Sequence, residues 1–397
     1  MSGVKTTRLS DFCATGSGGT PSRSKLERYY EGGTIPWIKS GELRESVITC
    51  AEEYVTDVAL KESSIKLVPT GAILLAMYGA TVGRLGILGI EATTNQAVCH
   101  IVPDPTIAAT RYVYHALSSQ VPNLISMGVG GAQPNINQGI IKGLAIPLPP
   151  LPEQCRIAAI LDQADVLRAK RREALAQLDS LTQSIFIEMF GDPVANSKHW
   201  PDTTTLGEVA NIASGVTKGR NLTGKATRTI PYLAVANVQD KSLNLSAIKE
   251  IEATENEIER YRLKWNDLLL TEGGDPDKLG RGTLWENELP ECIHQNHIFR
   301  VRVTSEAVTP LFLNWLIGSQ RGKKFFLRSA KQTTGIASIN MTQLRSFPLL
   351  LPPIELQRDF EKLAAGVAEQ HATLTASLNE IEALFASLQH RAFRGEL

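Results

Sequence analysis

The chain has 397 residues, of which 43% are hydrophobic and 21% are charged, and its 41 basic and 41 acidic residues give a formal net charge of zero. This size and composition are ordinary for a globular protein of two domains with connectors, and the balanced charge argues against a generic polyanion binder. No apolar run reaches the ~18 residues of a membrane span, and the first residues lack the apolar core of a secretion signal, so we expect no membrane association and a cytoplasmic location.

The first part of the chain is predicted to form a globular unit that mixes strands and helices. Ile35–Ile38 reads as the start of a strand, 71–76 is a short apolar run, and 95–101 reads as a returning strand. A helix is expected at 112–124, and a polar, glycine-rich loop follows it at 128–137.

A helix of unusual length is predicted next, from Glu153 to Phe190. Pro152 suits its first turn, where the missing N–H would have no partner in any case, and Glu153 places a negative charge at the positive end of the helix dipole. Gly191 followed by Pro193 is a typical stop signal. At ~1.5 Å per residue this helix is roughly 57 Å long, so we expect it to need an extended partner.

The second half of the chain repeats the first. Gln357 lies 203 residues after Gln154, and this offset holds without a gap from residue 132 to residue 190. The preceding elements recur with fewer identical residues: Gln295 in the second returning strand lies 199 residues after Gln96, and the loop recurs at 333–340. A repeat of this length determines the fold class. It predicts two globular units that share a skeleton and differ in their surfaces.

The two long helices share apolar positions with alternating steps of four and three residues, which is typical of a coiled-coil seam. The seam residues are Ile157, Leu161, Leu175, Leu178 and Ile185 in the first helix and Phe360, Val367, Leu374, Leu378, Ile381, Phe385 and Leu388 in the second. Because a globular unit separates the two segments, we expect them to pair with each other in antiparallel orientation. The alternative is two unrelated amphipathic helices, each packed on its own core.

The predicted fold class is therefore α+β. It consists of two globular mixed α/β domains separated by two long helices that form an antiparallel coiled coil, with an internal pseudo-two-fold repeat. The predicted boundaries are 1–151 for the first globular domain, 152–193 for the first helical spacer, 194–352 for the second globular domain and 353–397 for the second spacer.

The chain lacks the motifs of common metalloenzymes and of nucleic-acid-modifying enzymes. It has no HExxH sequence and no CxxC pair, no Asp or Glu is followed two positions later by Lys, and neither Pro-Pro pair is followed by an aromatic residue. Asp162 and Asp165 lie one turn apart on the first long helix, and we interpret them as part of a solvated face rather than as an acid–base pair. We therefore expect no catalytic residue, no metal site and reduced cysteines.

Polar residues of the predicted loops are the candidates for contacts with DNA. The tracts 209–239 and 307–354 contain basic residues and no acidic ones, which favours a local positive face. Arg and Lys can bind guanine edges, Asn and Gln adenine edges, and all of them phosphate. The DNA-binding candidates are Lys39, Tyr78, Thr81, Arg84, Gln133, Asn135, Asn137, Lys218, Arg220, Lys278, Arg281, Gln332, Thr333 and Ser338. For each of them, the alternative is an ordinary turn or solvent-exposed residue. Structural hydrogen bonds are instead expected from Asn95, Gln96, Gln295 and Asn340.

Several short motifs occur in a doubled order over nearly the whole chain. They are Gly18-Gly-Thr-Pro-Ser22, Ile35-Pro-Trp-Ile38, the runs 71–75 and 266–270, His294-Gln-Asn-His-Ile-Phe-Arg-Val-Arg302, the two proline-rich helix starts, Phe190-Gly-Asp-Pro193 and Phe393-Arg-Gly-Glu-Leu397. In this combination the chain resembles the specificity (S) subunit of type I restriction–modification enzymes. The second copy departs from the pattern at Ser214-Gly-Val-Thr-Lys218, which lacks the Thr-Pro.

The resemblance implies a non-catalytic subunit with two target-recognition domains. Each domain would read one half of a bipartite site on double-stranded DNA, and the helix pair would fix the separation of the halves. The resemblance also implies two bound adenine-N6 methyltransferase (modification) subunits that carry S-adenosylmethionine, and ATP- and Mg-dependent restriction subunits that join them, while this chain binds no cofactor itself. From the residues alone, two alternatives stay open: a stand-alone enzyme acting on nucleic acid, and a coiled-coil adaptor that binds only proteins.

Overall fold

The computed structural model describes residues 5–44, 47–128, 135–275, 279–333 and 336–397. The chain divides into two units, of which unit 1 comprises residues 1–173 and 375–397 and unit 2 comprises residues 174–374. Each unit contains sheets, short helices and one half of each long helix, so the predicted α+β class is confirmed. Within the described ranges, no helix is both long and apolar enough to cross a membrane.

The elements of unit 1 follow the predicted order, with one helix in the place of the predicted 112–124 segment. Its strands are β1 (Thr6–Arg8), β2 (Cys13–Ser17), β3 (Ile35–Ile38), β4 (Val47–Ile48), β5 (Glu53–Val55), β6 (Ile73–Ala76), β7 (Leu85–Leu88), β8 (Thr93–Thr94), β9 (Val98–Pro103) and β10 (Ala145–Pro147). Its helices are α1 (Leu26–Tyr29), α2 (Asp57–Glu62), α3 (Thr110–Met127), α4 (Gln138–Gly143) and the long α5 (Leu151–Phe190), which continues into unit 2.

The elements of unit 2 repeat this order. Its strands are β11 (Ala210–Ser214), β12 (Arg228–Leu233), β13 (Lys249–Ala253), β14 (Leu268–Thr271), β15 (Gly273–Gly274), β16 (Gly282–Leu284), β17 (Ile293–His294), β18 (Ile298–Val303), β19 (Lys331–Thr333) and β20 (Ile336–Ser338). Its helices are α6 (Leu206–Val209), α7 (Glu255–Tyr261), α8 (Pro310–Gly318), α9 (Gln320–Ser329), α10 (Met341–Arg345) and the long α11 (Ile354–Ala392), which continues into unit 1.

The two main sheets have the same topology in both units, apart from the additional edge strand β4 in unit 1. Unit 1 has the strand orders β2-β9-β6-β7-β4 and β5-β3-β8, and unit 2 has β11-β18-β14-β16 and β13-β12-β17. Strands β6 and β14 are buried along their whole length, because the alternate side chains of each strand pack into two different hydrophobic clusters, one on either face of the sheet. This burial is the reason for the two continuous apolar runs in the sequence, within 71–76 and 266–270.

The backbone pairing corrects the register of the repeat in the returning strands. The Asn95 N–H donates to the Ile38 carbonyl at 3.0 Å, and the Gln295 N–H donates to the Leu233 carbonyl at 3.0 Å. Gln295 therefore corresponds to Asn95, and the predicted match to Gln96 was wrong by one residue. Because side chains alternate across a strand, a shift of one residue changes which side chains face the core.

The long helices pair in antiparallel orientation, as is visible within each unit. In unit 1, the beginning of α5 packs on the end of α11: Arg172 and Glu382 form an ion pair at 2.6 Å, and the Arg168 guanidinium lies 4.2 Å from the centre of the Phe385 ring. In unit 2, the end of α5 packs on the beginning of α11, because the ring centroids of Phe186 and Phe190 lie 5.5 and 5.6 Å from that of Phe360. The predicted antiparallel coiled coil is confirmed.

All twelve predicted seam residues are at least partly buried. The buried ones are Ile157, Leu161, Phe360 and Phe385, and the half-buried ones are Leu175, Leu178, Ile185, Val367, Leu374, Leu378, Ile381 and Leu388. The exposed fraction is lowest where a helix also packs on a globular core, because Ile157, Leu161 and Phe385 belong to the core of unit 1 and Phe360 to that of unit 2.

A buried glutamine joins the start of α5 to the globular part of unit 1. Gln154 is 0% exposed, and its Oε1 accepts a hydrogen bond from the Ala109 N–H at 2.9 Å. Its Nε2 donates to the carbonyls of Ile107 at 3.0 Å and Pro149 at 2.8 Å. These three backbone groups precede α3 and α5, so the side chain satisfies polar groups that burial would otherwise leave unpaired.

Unit 2 contains the same arrangement, and we call the two sets the glutamine clamps. Gln357 is also 0% exposed and accepts from the Thr309 N–H at 2.9 Å. It donates to the carbonyls of Ala307 at 3.0 Å and Pro352 at 2.9 Å. The repeated residues Gln154 and Gln357 therefore have a structural function that the sequence register alone did not reveal.

The predicted loop at 333–340 is wrong, because Thr333 and Ile336–Ser338 lie in strands. Strands β19 and β20 build a three-stranded sheet with β15. Glycine makes this pairing possible, since a Cβ on Gly273 would lie 2.8 Å from the Ala337 carbonyl oxygen. The two consecutive glycines, Gly273 and Gly274, therefore form the edge strand of this sheet.

Candidate nucleic-acid interface

In unit 1, backbone hydrogen bonds bring several predicted DNA-binding loops together. Met77, which directly follows β6, donates its N–H to the Ala97 carbonyl at 2.8 Å and accepts from the Ile136 N–H at 2.8 Å. The β6–β7 loop and the segment that leads into α4 are thereby neighbours. These two segments carry the candidates Tyr78, Thr81, Arg84, Asn135 and Asn137.

Unit 2 holds its corresponding loops with the same two bonds. Glu272, which directly follows β14, donates its N–H to the His297 carbonyl at 3.0 Å and accepts from the Ile339 N–H at 2.9 Å. The β14–β16 connection and the strand β20 therefore meet as their counterparts do in unit 1. Arg281 and Ser338 lie on these segments.

The side chains at this repeated junction differ between the units. Unit 1 has the buried Met77 beside Ala97, whereas unit 2 has Glu272 beside His297, with 2.6 Å between the Glu272 Oε2 and the His297 Nδ1. The His297 side chain is 55% exposed and the Glu272 side chain is 32% exposed. Sequence reasoning missed this pair, since its partners lie on different elements. One backbone scaffold thus presents two chemically different surfaces.

Two cationic candidates are already engaged by carboxylates. The Lys39 ammonium lies 3.2 Å from Glu52 and 3.0 Å from Glu53, and the hydrogen bond that it donates to Glu53 raises the pKa of Lys39. Arg220 hydrogen-bonds to Glu257 and, at 2.7 Å, to the Glu252 carbonyl, and it lowers the pKa of Glu257 to about 2. Both cations fasten their loops to neighbouring elements, so much of their charge is neutralised within the chain.

Three other cationic candidates have more hydrogen-bonding capacity left for contacts with DNA. Arg84 is exposed at the end of the β6–β7 loop, and its guanidinium has no hydrogen-bond or ion-pair partner among the described residues. Lys218 is exposed, with its Nζ 5.2 Å from the centre of the Tyr232 ring. Arg281 donates to Gln239 Oε1 at 3.2 Å, while its buried Nε has no partner among the described residues. Gln239 thus lies beside a DNA-binding candidate, although it is not among the residues that the sequence indicated as candidates.

The remaining candidates have varied surroundings. Tyr78 and Thr81 are half-buried, and partial burial raises the pKa of Tyr78. Asn135 is exposed, whereas the Asn137 side chain accepts a hydrogen bond from the Ile140 N–H at 3.0 Å and caps α4. Gln133 and Lys278 lie outside the described residues. Gln332 and Thr333 lie in β19, where only the backbone is described.

Of the residues expected to form structural hydrogen bonds, two clearly do so. Asn340 caps α10 by accepting from the Gln343 N–H at 2.9 Å, and Gln96 accepts from the Thr20 hydroxyl. The Asn95 Oδ1 is buried without a hydrogen-bond partner among the described residues.

The interpretation of Asp162 as part of a solvated helix face was wrong. Its carboxylate accepts from the Arg111 Nε at 2.8 Å and lies 2.7 Å from the Nε2 of the buried His115. Although burial alone would raise it, these two hydrogen bonds hold the pKa of Asp162 below its usual value. Burial also lowers the pKa of His115. The cluster joins α3 to α5 and thereby stabilises the packing of the long helix on unit 1.

Among the described residues, no group of three or more His, Cys, Asp and Glu side chains could hold a metal ion. The polar surface at the loop junctions offers hydrogen-bond donors and acceptors together with free cations. Such groups suit contacts with base edges and phosphates.

The family model for the type I restriction modification DNA specificity domain matches the chain twice, at residues 1–177 and 198–383. The EcoKI specificity subunit of Escherichia coli (strain K12) is 23% identical over 401 residues, which cover 96% of this chain and 86% of that subunit. The EcoR124I/EcoR124II specificity subunit of Escherichia coli is 30% identical over 171 residues, 42% of each chain.

Solved structures of similar chains share the fold. A chain from a study of complex assembly and conformational transition of the type I R-M system superimposes with a TM-score of 0.61 at 16% identity, covering 100% of this chain and 99% of that one. The S subunit of a type I restriction–modification system from M. genitalium gives a TM-score of 0.56 at 18% identity, covering 98% and 96%.

Proposed function

The chain belongs to the type I restriction modification DNA specificity family, and from this membership we propose that it is the non-catalytic subunit that selects the DNA sequence in a type I restriction–modification complex. Each unit reads one half of a bipartite site on double-stranded DNA. The observation that carries this proposal is the repeated junction at which Met77 and Ala97 of unit 1 are replaced by Glu272 and His297 of unit 2. The two junctions have the same backbone hydrogen bonds and different side chains, as expected if the two units read different half-sites.

Within each unit, the loops around this junction are the proposed DNA-contacting surface. Arg84 in unit 1 and Lys218 and Arg281 in unit 2 have hydrogen-bonding capacity left for phosphates or guanine edges. Lys39 and Arg220 contribute less, because their charges are paired within the chain. Phosphate contacts position the duplex and base contacts select the sequence.

The paired helices are proposed to fix the separation of the two half-sites. Helix α5 has 40 residues and is therefore about 60 Å long at ~1.5 Å per residue. A stiff connection reduces the entropy that is lost when two DNA-binding surfaces engage one duplex. A flexible linker of the same number of residues would let the second surface search a wide range of spacings.

Two methyltransferase subunits are the proposed partners, with ATP-dependent restriction subunits as further members of the complex. Leu181 and Leu384 lie 203 residues apart on the two long helices and are 40% and 55% exposed, so each helix offers the same apolar residue to a like partner. S-adenosylmethionine, and ATP with Mg, are assigned to these partners and not to this chain. We also place the complex in the cytoplasm, where its substrate DNA lies and where the five unpaired cysteines stay reduced.

Exchange of one unit tests this proposal. Residues 194–345 would be replaced by the corresponding segment of another family member, and methyladenine would be mapped in DNA from cells that carry the hybrid and its partners. We expect one half of the methylated site to change and the other half to stay as in the wild type. A hybrid that changes both halves would show that the two surfaces do not act independently.

A further inference from the structure

Unit 2 has an apolar cleft that the proposed DNA-contacting surface does not use. The cleft has a volume of about 460 Å³ and lies where α8 and the turn before β14 approach the first half of α11. Its apolar wall includes Trp265, Leu311, Trp315, Ala364 and Ala368. All of these residues belong to unit 2.

The exposed tryptophan of this cleft stands on a rigid turn. The Trp265 side chain is 64% exposed, and the next residue, Asn266, has a left-handed backbone with φ of 66° and donates its N–H to the Trp285 carbonyl at 2.8 Å. The buried Asp267 accepts from the Lys264 N–H at 2.7 Å and from two nitrogens of Arg302 at 2.7 Å each. Because the turn is fixed before binding, an indole held there loses little conformational entropy on contact with a partner.

The fold does not require this tryptophan. In unit 1 the equivalent turn contains Gly71, with φ of 84°, whose N–H donates to the Leu88 carbonyl at 2.7 Å. The bond corresponds to that of Asn266, so Thr70 occupies the position of Trp265. A small polar residue thus suffices for the turn itself.

The opposite wall of the cleft is likewise apolar in unit 2 and polar at the equivalent positions of unit 1. The glutamine clamps align α3 with α8, so that His115 corresponds to Trp315, and the helix register aligns Asp165 with Ala368. In unit 1 these positions carry polar side chains that bond within the chain, as Asp165 does with Arg168 at 2.8 Å. Unit 2 has apolar surface instead. The apolar character is therefore a property of this unit and not of the shared scaffold.

The rim of the cleft identifies the kind of partner that fits. Glu286 and Glu361 line the rim, and neither carboxylate has an ion-pair partner among the described residues. The Lys241 ammonium is shared between Asp240 at 3.3 Å and the Trp315 ring at 4.4 Å. The rim is net negative, which disfavours DNA phosphate and favours a basic partner.

We propose that this cleft binds a segment of the methyltransferase subunit in which an apolar side chain enters beside Trp265 and a neighbouring Lys or Arg faces Glu286 and Glu361. This inference rests on the proposed function, because it takes the methyltransferase as the partner. Because the cleft lies in unit 2 and the positions of unit 1 that correspond to Trp315 and Ala368 are polar, one of the two methyltransferase copies depends on this cleft.

The test measures binding of the purified cognate methyltransferase subunit to the full chain without DNA. Trp265→Ala should weaken one of the two binding steps about 30-fold, which corresponds to the ~2 kcal/mol of an interfacial hot spot. Glu286→Lys should weaken the same step about tenfold, because it reverses a charge on the rim. Thr70→Ala, at the equivalent exposed turn of unit 1, should leave both steps unchanged.

The possible outcomes separate this inference from the proposed function. If wild-type chain and methyltransferase assemble and modify a bipartite site but both cleft variants bind as the wild type does, the inference is wrong and the proposed function stands. Variants that lose DNA affinity or self-association while methyltransferase binding is unchanged also overturn it. If the wild-type chain binds no methyltransferase at all, the proposed function itself fails. Equal circular dichroism spectra of wild type and variants confirm that the exposed substitutions leave the fold intact.

Discussion

The glutamine clamps should make a large contribution to the stability of the units that the long helices join. Gln154→Ala removes three hydrogen bonds and leaves the Ala109 N–H and the carbonyls of Ile107 and Pro149 without partners in a buried place. An unsatisfied buried group costs ~1–3 kcal/mol, and water that enters the vacated space recovers part of this, so we expect a loss of about 4 kcal/mol in the free energy of unfolding. For a unit of this size, such a loss lowers Tm by about 10 °C.

Denaturant unfolding of the variants, together with amide hydrogen exchange, measures this effect. Gln163→Ala is the matched control, because Gln163 is exposed on the same helix and its truncation should change stability by less than ~0.5 kcal/mol. The Ala109 amide should lose its protection in Gln154→Ala and keep it in Gln163→Ala. Gln357→Ala should destabilise unit 2 to a similar extent. If Gln154→Ala unfolds at the same denaturant concentration as the control, the clamp does not stabilise the junction and the reasoning is refuted.

Three further predictions concern buried charge, pH and DNA contact. Asp267→Asn should cost ~3 kcal/mol in unfolding free energy, because it leaves Arg302 without its buried carboxylate, and thermal unfolding would show it as a lower Tm. Burial lowers the pKa of His294 to about 4, so the folded state binds fewer protons than the unfolded state between pH ~6.5 and 4. The free energy of unfolding should therefore fall by up to ~3 kcal/mol as the pH drops through this window. His294→Asn should flatten this dependence of stability on pH. Arg84→Ala should weaken DNA modification without a change in Tm, whereas Arg220→Ala should lower Tm because it releases Glu257; equal effects on Tm would contradict the assignment.

The long helices could be predicted from the sequence because their signals are local and periodic. The proline-rich starts and the steps of four and three residues each lie within one contiguous segment, and the constant offset of 203 residues shows that the segment occurs twice. The apolar runs that became β6 and β14 were visible in the sequence, and the structure shows that each run is a strand covered on both faces.

The functions of individual polar residues could not be predicted, because their partners lie far away in the chain. Asp162 appeared to face solvent until α3 placed Arg111, 51 residues earlier, against it. Arg220 looks like a free loop cation, yet Glu257 is 37 residues later. Neither partner can be identified without the tertiary fold.

The same limit applies to the loops that differ between the units. Glycine is uncommon in strands, and only the pairing with β20 shows that Gly273 and Gly274 form an edge strand. Trp265 carries no motif, and its exposure follows from the turn at Asn266 and from the buried ion pair behind it. Only the equivalent positions of the two units, such as Thr70 and Trp265, distinguish residues that the shared fold requires from residues that are particular to one unit.

Lengthening both long helices by one heptad shows whether the helix pair sets the separation of the two half-sites. One heptad would be inserted between Glu173 and Ala174 in α5 and another between Leu374 and Thr375 in α11, which keeps the seam nearly in register. Seven residues add ~10.5 Å, or about three base pairs at ~3.4 Å each. Methyladenine mapping should then show two unchanged half-sites separated by a gap about three base pairs longer. Methylation that persists at the original spacing would contradict a helix pair that sets the distance between the two DNA-reading units.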